Sequence, residues 1–140
     1  MNKALLRELC PLPIFEDLSQ QIIGATVFSK LDLKAAFWQI PVDEKTSELL
    51  CFATPFGRFC FTRLPFGITP ASEVCHRWIS HAVEGLSFVN VNVDDILVYS
   101  RNKDEHLSHL AQLLTRIREH NLTLNLDKCV FGVDRITFLG

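Results

Sequence analysis

Hydrophobic and polar positions alternate along several short segments of the chain. Residues 26–33 are rich in β-forming side chains and alternate over most of their length, which predicts a strand with Asp32 near its carboxyl end. Two further β-rich runs, residues 49–54 and 58–63, flank Pro55-Phe56-Gly57, whose proline and glycine favour a tight turn. This part of the chain is therefore predicted to form a strand followed by a β-hairpin.

Apolar residues recur at helical spacing in residues 14–23 and again in residues 71–83. Gly24 is placed to end the first of these helices. Pro70 suits the first helical position of the second, with Thr69 as its N-cap, and the tight Leu-Pro-Phe-Gly segment before them stops the preceding strand. The face of the second helix that is expected to be buried carries Val74, Cys75, Trp78, Ile79 and Ala82.

The second half of the chain predicts another hairpin, a long helix and two closing strands. Residues 88–93 and 96–99 are β-rich and only Asp94-Asp95 lies between them, which suits a two-residue turn that presents both carboxylates. Leucines recur at three and four from residue 103 to residue 120, and Asn121 follows this amphipathic pattern. Strands are expected at residues 122–126 and 135–139. The order of elements predicts an α+β fold, an antiparallel sheet with helices packed on one face.

Composition and charge give only broad information about the class of protein. The chain has 140 residues, 48% of them hydrophobic, which is enough for one domain with its own core. A formal charge of −2 lacks the basic excess of many proteins that bind phosphate backbones. No apolar segment has the length of a membrane span or the pattern of a signal peptide. We expect a protein that is soluble and not secreted.

Cysteine and histidine spacings do not indicate a zinc site. The five cysteines are odd in number and scattered, so they are expected to be reduced core residues of an intracellular protein. His106 and His109 lie three residues apart on the long helix, but no further ligand stands at a metal-site spacing. Both are therefore expected to be ordinary surface histidines.

Three aspartates are the candidate chemistry. Asp94-Asp95 alone is most often a structural turn pair, but Asp32 ends a strand that can lie beside that hairpin. Two carboxylates about 4 Å apart repel by roughly 4 kcal/mol at an effective dielectric near 20, so a converged group needs a cation or a shared proton. Magnesium suits such a group because it prefers hard oxygen ligands. No Gly-rich phosphate loop of an ATPase or GTPase accompanies them.

Five sequence blocks occur in one order: FSKLDLKAAFWQI at 28–40, TPFGR at 54–58, LPFGI at 64–68, VDDILV at 93–98 and FLG at 138–140. In these blocks the chain resembles the reverse transcriptases of gypsy-type LTR retrotransposons, over nearly its whole length. The resemblance implies a polymerase palm with part of the fingers, including a fingers β-hairpin. Residues 1–140 are then a partial reverse transcriptase domain, with the thumb, connection and RNase H regions outside it.

The same resemblance implies roles for individual residues. Asp32, Asp94 and Asp95 correspond to the family's catalytic, metal-site carboxylates, with Asp32 and Asp94 as direct ligands of Mg²⁺, for which Mn²⁺ is a substitute. The remaining positions are implied to bind substrate: Ala35 and Ala36 meet the triphosphate through backbone amides, Phe37 is the steric gate beneath the sugar, and Phe66 and Gly67 line the templating base pair. From periodicity alone, Phe37 is a core residue and the turn at Pro65 to Gly67 only ends a strand.

The activity implied by the resemblance is RNA-directed DNA synthesis by two-metal nucleotidyl transfer, in which dNTPs are added to a primer 3′-hydroxyl. Its partners are an RNA or DNA template with primer and the remaining regions of a Pol polyprotein, in the cytoplasm or in virus-like particles. The chain departs from the family pattern at three places: Asn92 stands where tyrosine is usual, Ala71-Ser72 where Ala-Pro is frequent, and Cys75-His76 where Phe-Gln is frequent. The alternative is a catalytically inactive, retrotransposon-derived remnant that acts as an interaction module.

Overall fold

The structure, a computed structural model, describes residues 20–68 and 70–138. Its elements in chain order are β1 (Val27–Asp32), a 3₁₀ helix (Ala36–Gln39), α1 (Glu44–Leu49), β2 (Cys51–Thr54), β3 (Gly57–Cys60), α2 (Ala71–Ala82), β4 (Val89–Asn92), β5 (Asp95–Ser100), α3 (Lys103–Glu119) and β6 (Val130–Val133). The sequence pattern predicted strands β1 to β5 and both long helices, α2 and α3. It did not predict β6, the 3₁₀ helix or α1.

Strands β4, β5, β1 and β6 form one antiparallel sheet in that order, and β2 and β3 form a separate hairpin. Alternate residues of β1 point to opposite faces, so that Leu31 is buried while Asp32 is half-buried. Helices α2 and α3 cover one face, where Leu31 and Ile96 join Ile79 and Leu113 in one core. The predicted α+β fold with helices on one face is confirmed.

Buried apolar side chains pack helices α2 and α3 against the sheet. Ile79 of α2 and Leu113 of α3 are almost fully buried, and so are Ile96 and Val98 of the central strand β5. Burial of each such side chain contributes roughly 1.5–3 kcal/mol relative to an exposed one. The other face of the sheet carries Asp32 and Lys30, which are half-buried, and Leu97, which is 2% exposed.

The boundaries of α2 and its buried face differ from the expectation. Pro70 occupies the N-cap itself, without a side-chain capping bond, and Thr69 lies outside the described residues. Trp78, predicted to be buried, is 40% exposed, whereas His76 is only 7% exposed. The buried stripe is therefore rotated toward His76, which faces the β4–β5 turn.

Helix α3 begins and ends close to the predicted positions. The Asn102 side chain accepts the Glu105 N–H at 2.8 Å, while the Glu105 carboxylate accepts the Arg101 N–H at 2.7 Å, so the two residues cap the helix reciprocally. Of the leucines expected on the buried stripe, Leu107 and Leu114 are exposed.

His106 and His109 are not the surface histidines that were expected. His106 is 2% exposed, and its two ring nitrogens bond the hydroxyls of Ser29 at 2.6 Å and Ser100 at 2.9 Å. His109 is half-buried, bonds Ser100 at 2.7 Å and stacks on Phe88. The expectation failed because the polar partners lie on the sheet, where the periodicity of one helix gives no sign of them.

Two turn and strand predictions were also wrong. The two central residues of the β4–β5 turn are Val93 and Asp94, because Asn92 pairs with Asp95, which begins β5. At the end of the chain, the strand is Val130–Val133 rather than residues 122–126 and the described part of 135–139. Residues 122–129 instead run along the end of β1, making an isolated bridge between Leu33 and Leu124.

The cysteines correct a further expectation. Cys51 and Cys60 lie opposite each other in the β2–β3 hairpin, with their sulfur atoms joined as a disulfide, and Cys60 is exposed. Cys75 is buried in the core and Cys129 is half-buried, as expected for reduced residues. Cys10 lies outside the described residues. The paired cysteines are brought together by strand register, which their separation of nine residues did not indicate.

The first predicted helix, residues 14–23, lies mostly outside the described residues. Gln20 and Gln21 are helical, and Gly24 follows with a φ of 87°, the left-handed conformation of a helix-ending glycine. No helix in the described part of the chain is long and apolar enough to cross a membrane.

Candidate active site

Asp32 and Asp95 meet at one edge of the four-stranded sheet. Asp32 is the last residue of β1, Asp95 is the first of β5, and the two are directly paired in the antiparallel register. Opposed residues of antiparallel strands point to the same face, which places both carboxylates on the face opposite α2 and α3. Asn92 is paired with Asp95 on the other side and shares that face. The sequence expectation that β1 lies beside the aspartate hairpin is confirmed.

The backbone of Asp32 is held by the segment that follows α3. The Asp32 carbonyl oxygen accepts the Asn125 N–H at 2.8 Å, and the Asp32 N–H points to the Cys129 sulfur at 3.4 Å. Next to it, the Leu33 N–H reaches the Asp94 carbonyl oxygen at 3.5 Å. Since these bonds come from both sides of β1, the position of Asp32 is fixed relative to the hairpin.

Asp94 lies in the turn, one residue before the paired strand begins. Its neighbour Val93 has a φ of 55°, a left-handed conformation that is rare for a β-branched residue. Asp94 also influences helix α2, since burial and the Asp94 charge raise the pKa of the Cys75 thiol to about 12. The thiol therefore stays protonated at neutral pH.

The carboxylates repel one another. Burial and the charge of Asp94 raise the pKa of Asp95, and Asp32 adds to this through its charge and a side-chain hydrogen bond, while Lys30 opposes it. A cation bound between such groups relieves the repulsion, and Mg²⁺ is commonly held by one or two carboxylates together with waters and substrate phosphates. The pair of Asp32 and Asp95 fits that donor set.

The three aspartates do not form a closed ligand cage. Within residues 20–68 and 70–138, no group of three His, Cys, Asp or Glu side chains is arranged to hold a metal ion. The structure thus brings Asp32 and Asp95 into contact and places Asp94 beside them in the turn. All three aspartates are half-buried.

The segment after Asp32 has an unusual backbone. Ala35 has a φ of 46°, left-handed, and it caps the 3₁₀ helix in which Ala36 is buried and Phe37 is half-buried. The side-chain amide of Gln39 anchors this helix, because its oxygen accepts the Thr123 N–H and its nitrogen donates to the Thr123 carbonyl oxygen, both at 2.9 Å. Sequence reasoning did not single out Gln39; a polar residue inside an apolar motif block was the available signal.

Phe37 and Phe66 bring two predicted substrate-binding segments together. Their ring centroids lie 4.8 Å apart in an edge-to-face arrangement, although Phe66 remains 58% exposed. Trp38 meets Phe66 edge-on as well, at 5.9 Å. Gly67, with a φ of 83°, makes the left-handed turn that presents Phe66. The 3₁₀ helix and the Leu-Pro-Phe-Gly turn therefore form one aromatic cluster of Phe37, Trp38 and Phe66.

Comparison with known proteins identifies relatives of the entire chain. The profile of the family "Reverse transcriptase (RNA-dependent DNA polymerase)" matches residues 1–140. The chain is 35% identical over 141 residues to the "Enzymatic polyprotein" of Cauliflower mosaic virus (strain CM-1841) and covers 21% of that polyprotein. It is 37% identical over 142 residues to the "Retrovirus-related Pol polyprotein from transposon 412" of Drosophila melanogaster and covers 12% of it. The chain thus spans about a fifth or less of the length of these relatives.

Solved structures show the same fold. The foamy viral protease-reverse transcriptase solved in complex with double-stranded DNA superposes with a TM-score of 0.88 at 22% identity, over 99% of this chain and 25% of that one. The same foamy viral enzyme with an RNA/DNA hybrid gives a TM-score of 0.87. These likenesses show the fold, and the profile match over residues 1–140 establishes that the chain belongs to the reverse transcriptase (RNA-dependent DNA polymerase) family.

Proposed function

We propose that this chain is the catalytic palm, with part of the fingers, of an RNA-directed DNA polymerase that adds dNTPs to a primer 3′-hydroxyl. The observation that carries the proposal is the direct pairing of Asp32 with Asp95 at the end of β1 and the start of β5, with Asp94 in the adjoining turn. Family membership supports the reaction class, since the matching family is that of RNA-dependent DNA polymerases.

Asp32, Asp94 and Asp95 are the proposed metal-site carboxylates, with Mg²⁺ as the ion and Mn²⁺ as a substitute. When bound, the metal supplies activation of the primer hydroxyl and neutralisation of charge on the leaving pyrophosphate. The contribution of the chain is positioning, because β1 and β5 hold the paired carboxylates of Asp32 and Asp95 next to each other. The end of β1 is fixed by two backbone hydrogen bonds, from the Asn125 N–H to the Asp32 carbonyl oxygen and from the Leu33 N–H to the Asp94 carbonyl oxygen. The raised pKa of Asp95 supports a site that gains from a cation.

The incoming nucleotide is proposed to lie between the 3₁₀ helix and the Phe66 turn. Backbone amides of Ala35 and Ala36 contact the triphosphate, and the Phe37 ring lies beneath the sugar and excludes a 2′-hydroxyl. Phe66 and Gly67 contact the templating base pair. The edge-to-face contact of Phe37 with Phe66 supports this arrangement, because it fixes the orientation of the ring that serves as the gate.

The proposed partners are an RNA or DNA template with its primer, dNTPs, and the thumb and RNase H regions of a longer Pol polyprotein. The foamy viral relatives were solved with double-stranded DNA and with an RNA/DNA hybrid, which supports nucleic acid as the partner class. The proposed location is inside the cell, in the cytoplasm or in virus-like particles.

Single-nucleotide addition to a labelled primer–template tests the proposal. The chain, at a concentration in excess of the primer and at low salt with Mg²⁺ or Mn²⁺, is compared with Asp32→Asn and with Asp134→Asn. Asp134 is an exposed aspartate just after Val133, which pairs with Phe28 at the opposite end of β1. We expect single additions, without processive synthesis, by the wild-type and Asp134→Asn chains only. Equal addition by Asp32→Asn, or no addition by the wild type, contradicts the proposal.

One observation favours the second candidate, an inactive remnant that acts as an interaction module. Asn92 is opposite Asp95 and shares the face of the carboxylates, at the position where the family usually has a tyrosine ring. An Asn92→Tyr chain separates the two candidates. If the palm is otherwise competent, the restored ring raises the rate of single addition; if the chain is a remnant, Asn92→Tyr and wild type are equally inert.

A further inference from the structure

The turn that carries Asp94 depends on an unfavourable backbone conformation. Val93 has a φ of 55° and is the first central residue of the two-residue turn between Asn92 and Asp95. For a residue with two heavy atoms on Cβ the left-handed region is a steric outlier, whereas Gly or Asn occupies it readily. The local sequence therefore does not favour this turn, and interactions from elsewhere have to hold it.

Helix α2 supplies those interactions to both polar groups of Val93. The Val93 N–H donates to Nδ1 of His76 at 3.3 Å, and the Cys75 thiol donates to the Val93 carbonyl oxygen at 3.8 Å. His76 is 7% exposed and Cys75 is fully buried, so water does not offer a ready substitute for either partner. Because Nδ1 accepts, the ring carries its proton on Nε2.

We infer that His76, assisted by Cys75, is a positioning residue that stabilises the left-handed conformation of Val93 in the Val93–Asp94 turn. Through this turn, His76 fixes the orientation of the Asp94 and Asp95 carboxylates. The inference rests on the proposed function in one respect, that these carboxylates bind a metal. The holding contact itself is independent of it, since it consists of two hydrogen bonds between α2 and the turn. His76 acts through the backbone of Val93.

Four variants of the chain separate positioning from a merely structural contribution. His76→Leu removes the acceptor from a buried site, and His76→Asn restores a side-chain acceptor near the position of Nδ1. Val93→Gly removes the steric cost of the left-handed turn, because glycine adopts positive φ freely. The double variant His76→Leu, Val93→Gly tests whether the turn still depends on the Nδ1 acceptor of His76 once the strained valine has been replaced. His81→Leu, an exposed change on the same helix, is the matched control.

The readouts are the affinity for Mn²⁺ and the hydrogen-exchange rate of the residue-93 amide measured by NMR. We expect His76→Leu to bind Mn²⁺ about tenfold more weakly, the lower end of the range for partners that orient metal ligands, and to exchange the Val93 amide faster. His76→Asn recovers both properties, and Val93→Gly suppresses the affinity loss of His76→Leu. His81→Leu matches the wild type.

Each unexpected result has a defined meaning. A folded His76→Leu chain with wild-type Mn²⁺ affinity overturns the inference, and so does a double variant as weak as His76→Leu alone. If His76→Leu does not fold, the double variant decides: recovery of folding by Val93→Gly supports the inference and continued unfolding contradicts it. If the wild-type chain binds no Mn²⁺, the proposed function fails, while exchange of the Val93 amide in His76→Leu and His76→Asn still decides whether His76 holds the turn.

Discussion

Asp32 in β1 is paired directly with Asp95 in β5, so two acidic side chains share one face at the end of the sheet. Elsewhere in the same ladder, β1 and β5 pair a lysine with a leucine and a serine with a valine, as expected for ordinary sheet positions. Like charges directly opposite each other destabilise a sheet. The pairing of Asp32 with Asp95 is therefore expected to cost the sheet some stability at this end of β1 and β5.

The first prediction concerns the cost of that arrangement. Asp95→Asn removes one of the like charges, so we expect the metal-free chain to gain roughly 0.5–1 kcal/mol in free energy of unfolding, a small figure because the carboxyl is partly exposed and solvent screens it. Urea denaturation in the presence of a chelator measures the change. Asp134→Asn, on an exposed aspartate away from the pair, should leave the free energy unchanged; a loss of stability in Asp95→Asn contradicts the repulsion.

A second prediction concerns pH and the buried histidine of α3. Burial and the charge of His109 lower the pKa of His106 below its ordinary value. Because the unfolded chain then binds protons more readily than the folded one, stability is full above about pH 6.5 and falls as the pH drops through that unfolded-state value toward the folded one. Denaturation curves across pH 5–8 check this sign.

The matched variants are His106→Asn and His81→Asn. His106→Asn should cost about 1–3 kcal/mol at pH 8, since the shorter side chain cannot keep the hydrogen bonds to both buried hydroxyls, of Ser29 and of Ser100. The substitution should also flatten the decline in stability below about pH 6.5. His81 is exposed, with its ring near Glu84 and His120, so His81→Asn should keep the slope of the wild type. A wild-type slope retained in His106→Asn places the titrating group elsewhere.

The third prediction concerns the hairpin cysteines. Because Cys51 and Cys60 are register partners with bonded sulfurs, an oxidised chain digested without reductant should yield one cross-linked peptide pair that has lost two hydrogens. Mass spectrometry before and after reduction detects it. Cys51→Ser should abolish the cross-link, and Cys75→Ser, in the buried core, should leave it intact. Two unlinked peptides from the oxidised wild type contradict the pairing.

A fourth prediction tests the backbone of the proposed triphosphate contact. Ala35→Gly should stabilise the chain by about 0.5–1 kcal/mol, because relief of a left-handed alanine exceeds the added entropy of the unfolded glycine. Ala36, the next residue, is buried within the 3₁₀ helix and has no positive φ. Ala36→Gly should therefore destabilise. The same sign for both substitutions, measured by urea denaturation, contradicts the assigned conformation of Ala35.

The elements that sequence predicted are those whose pattern is local. The alternation through Leu31 and the leucine spacing of α3 each lie within one element, and both elements formed nearly where expected. The turn at Val93 was misplaced by one residue because valine disfavours the left-handed conformation that it adopts there. The hydrogen-bond partner of Val93, His76, lies on helix α2, 17 residues earlier in the chain. No local pattern contains that relationship.

The candidate site was predictable in part for the same reason. Asp32 and the Asp94-Asp95 pair were recognisable by residue type and position at strand ends, and the strand register then paired Asp32 with Asp95. The anchoring amide of Gln39 was missed because its partner, Thr123, is 84 residues away. Residues whose contribution consists of a long-range hydrogen bond remain invisible until the fold is known.

Metal binding by the purified chain tests the central claim most directly. The chelator-treated chain is titrated with Mn²⁺, and binding is followed by electron paramagnetic resonance and by calorimetry, with Mg²⁺ as competitor. The variants are the Asp32→Asn, Asp94→Asn double substitution and the Asp134→Asn control. The account predicts that the wild type and the control bind a competable ion and that the double variant does not. Equal binding by the double variant, or none by the wild type, would contradict a metal site at these carboxylates.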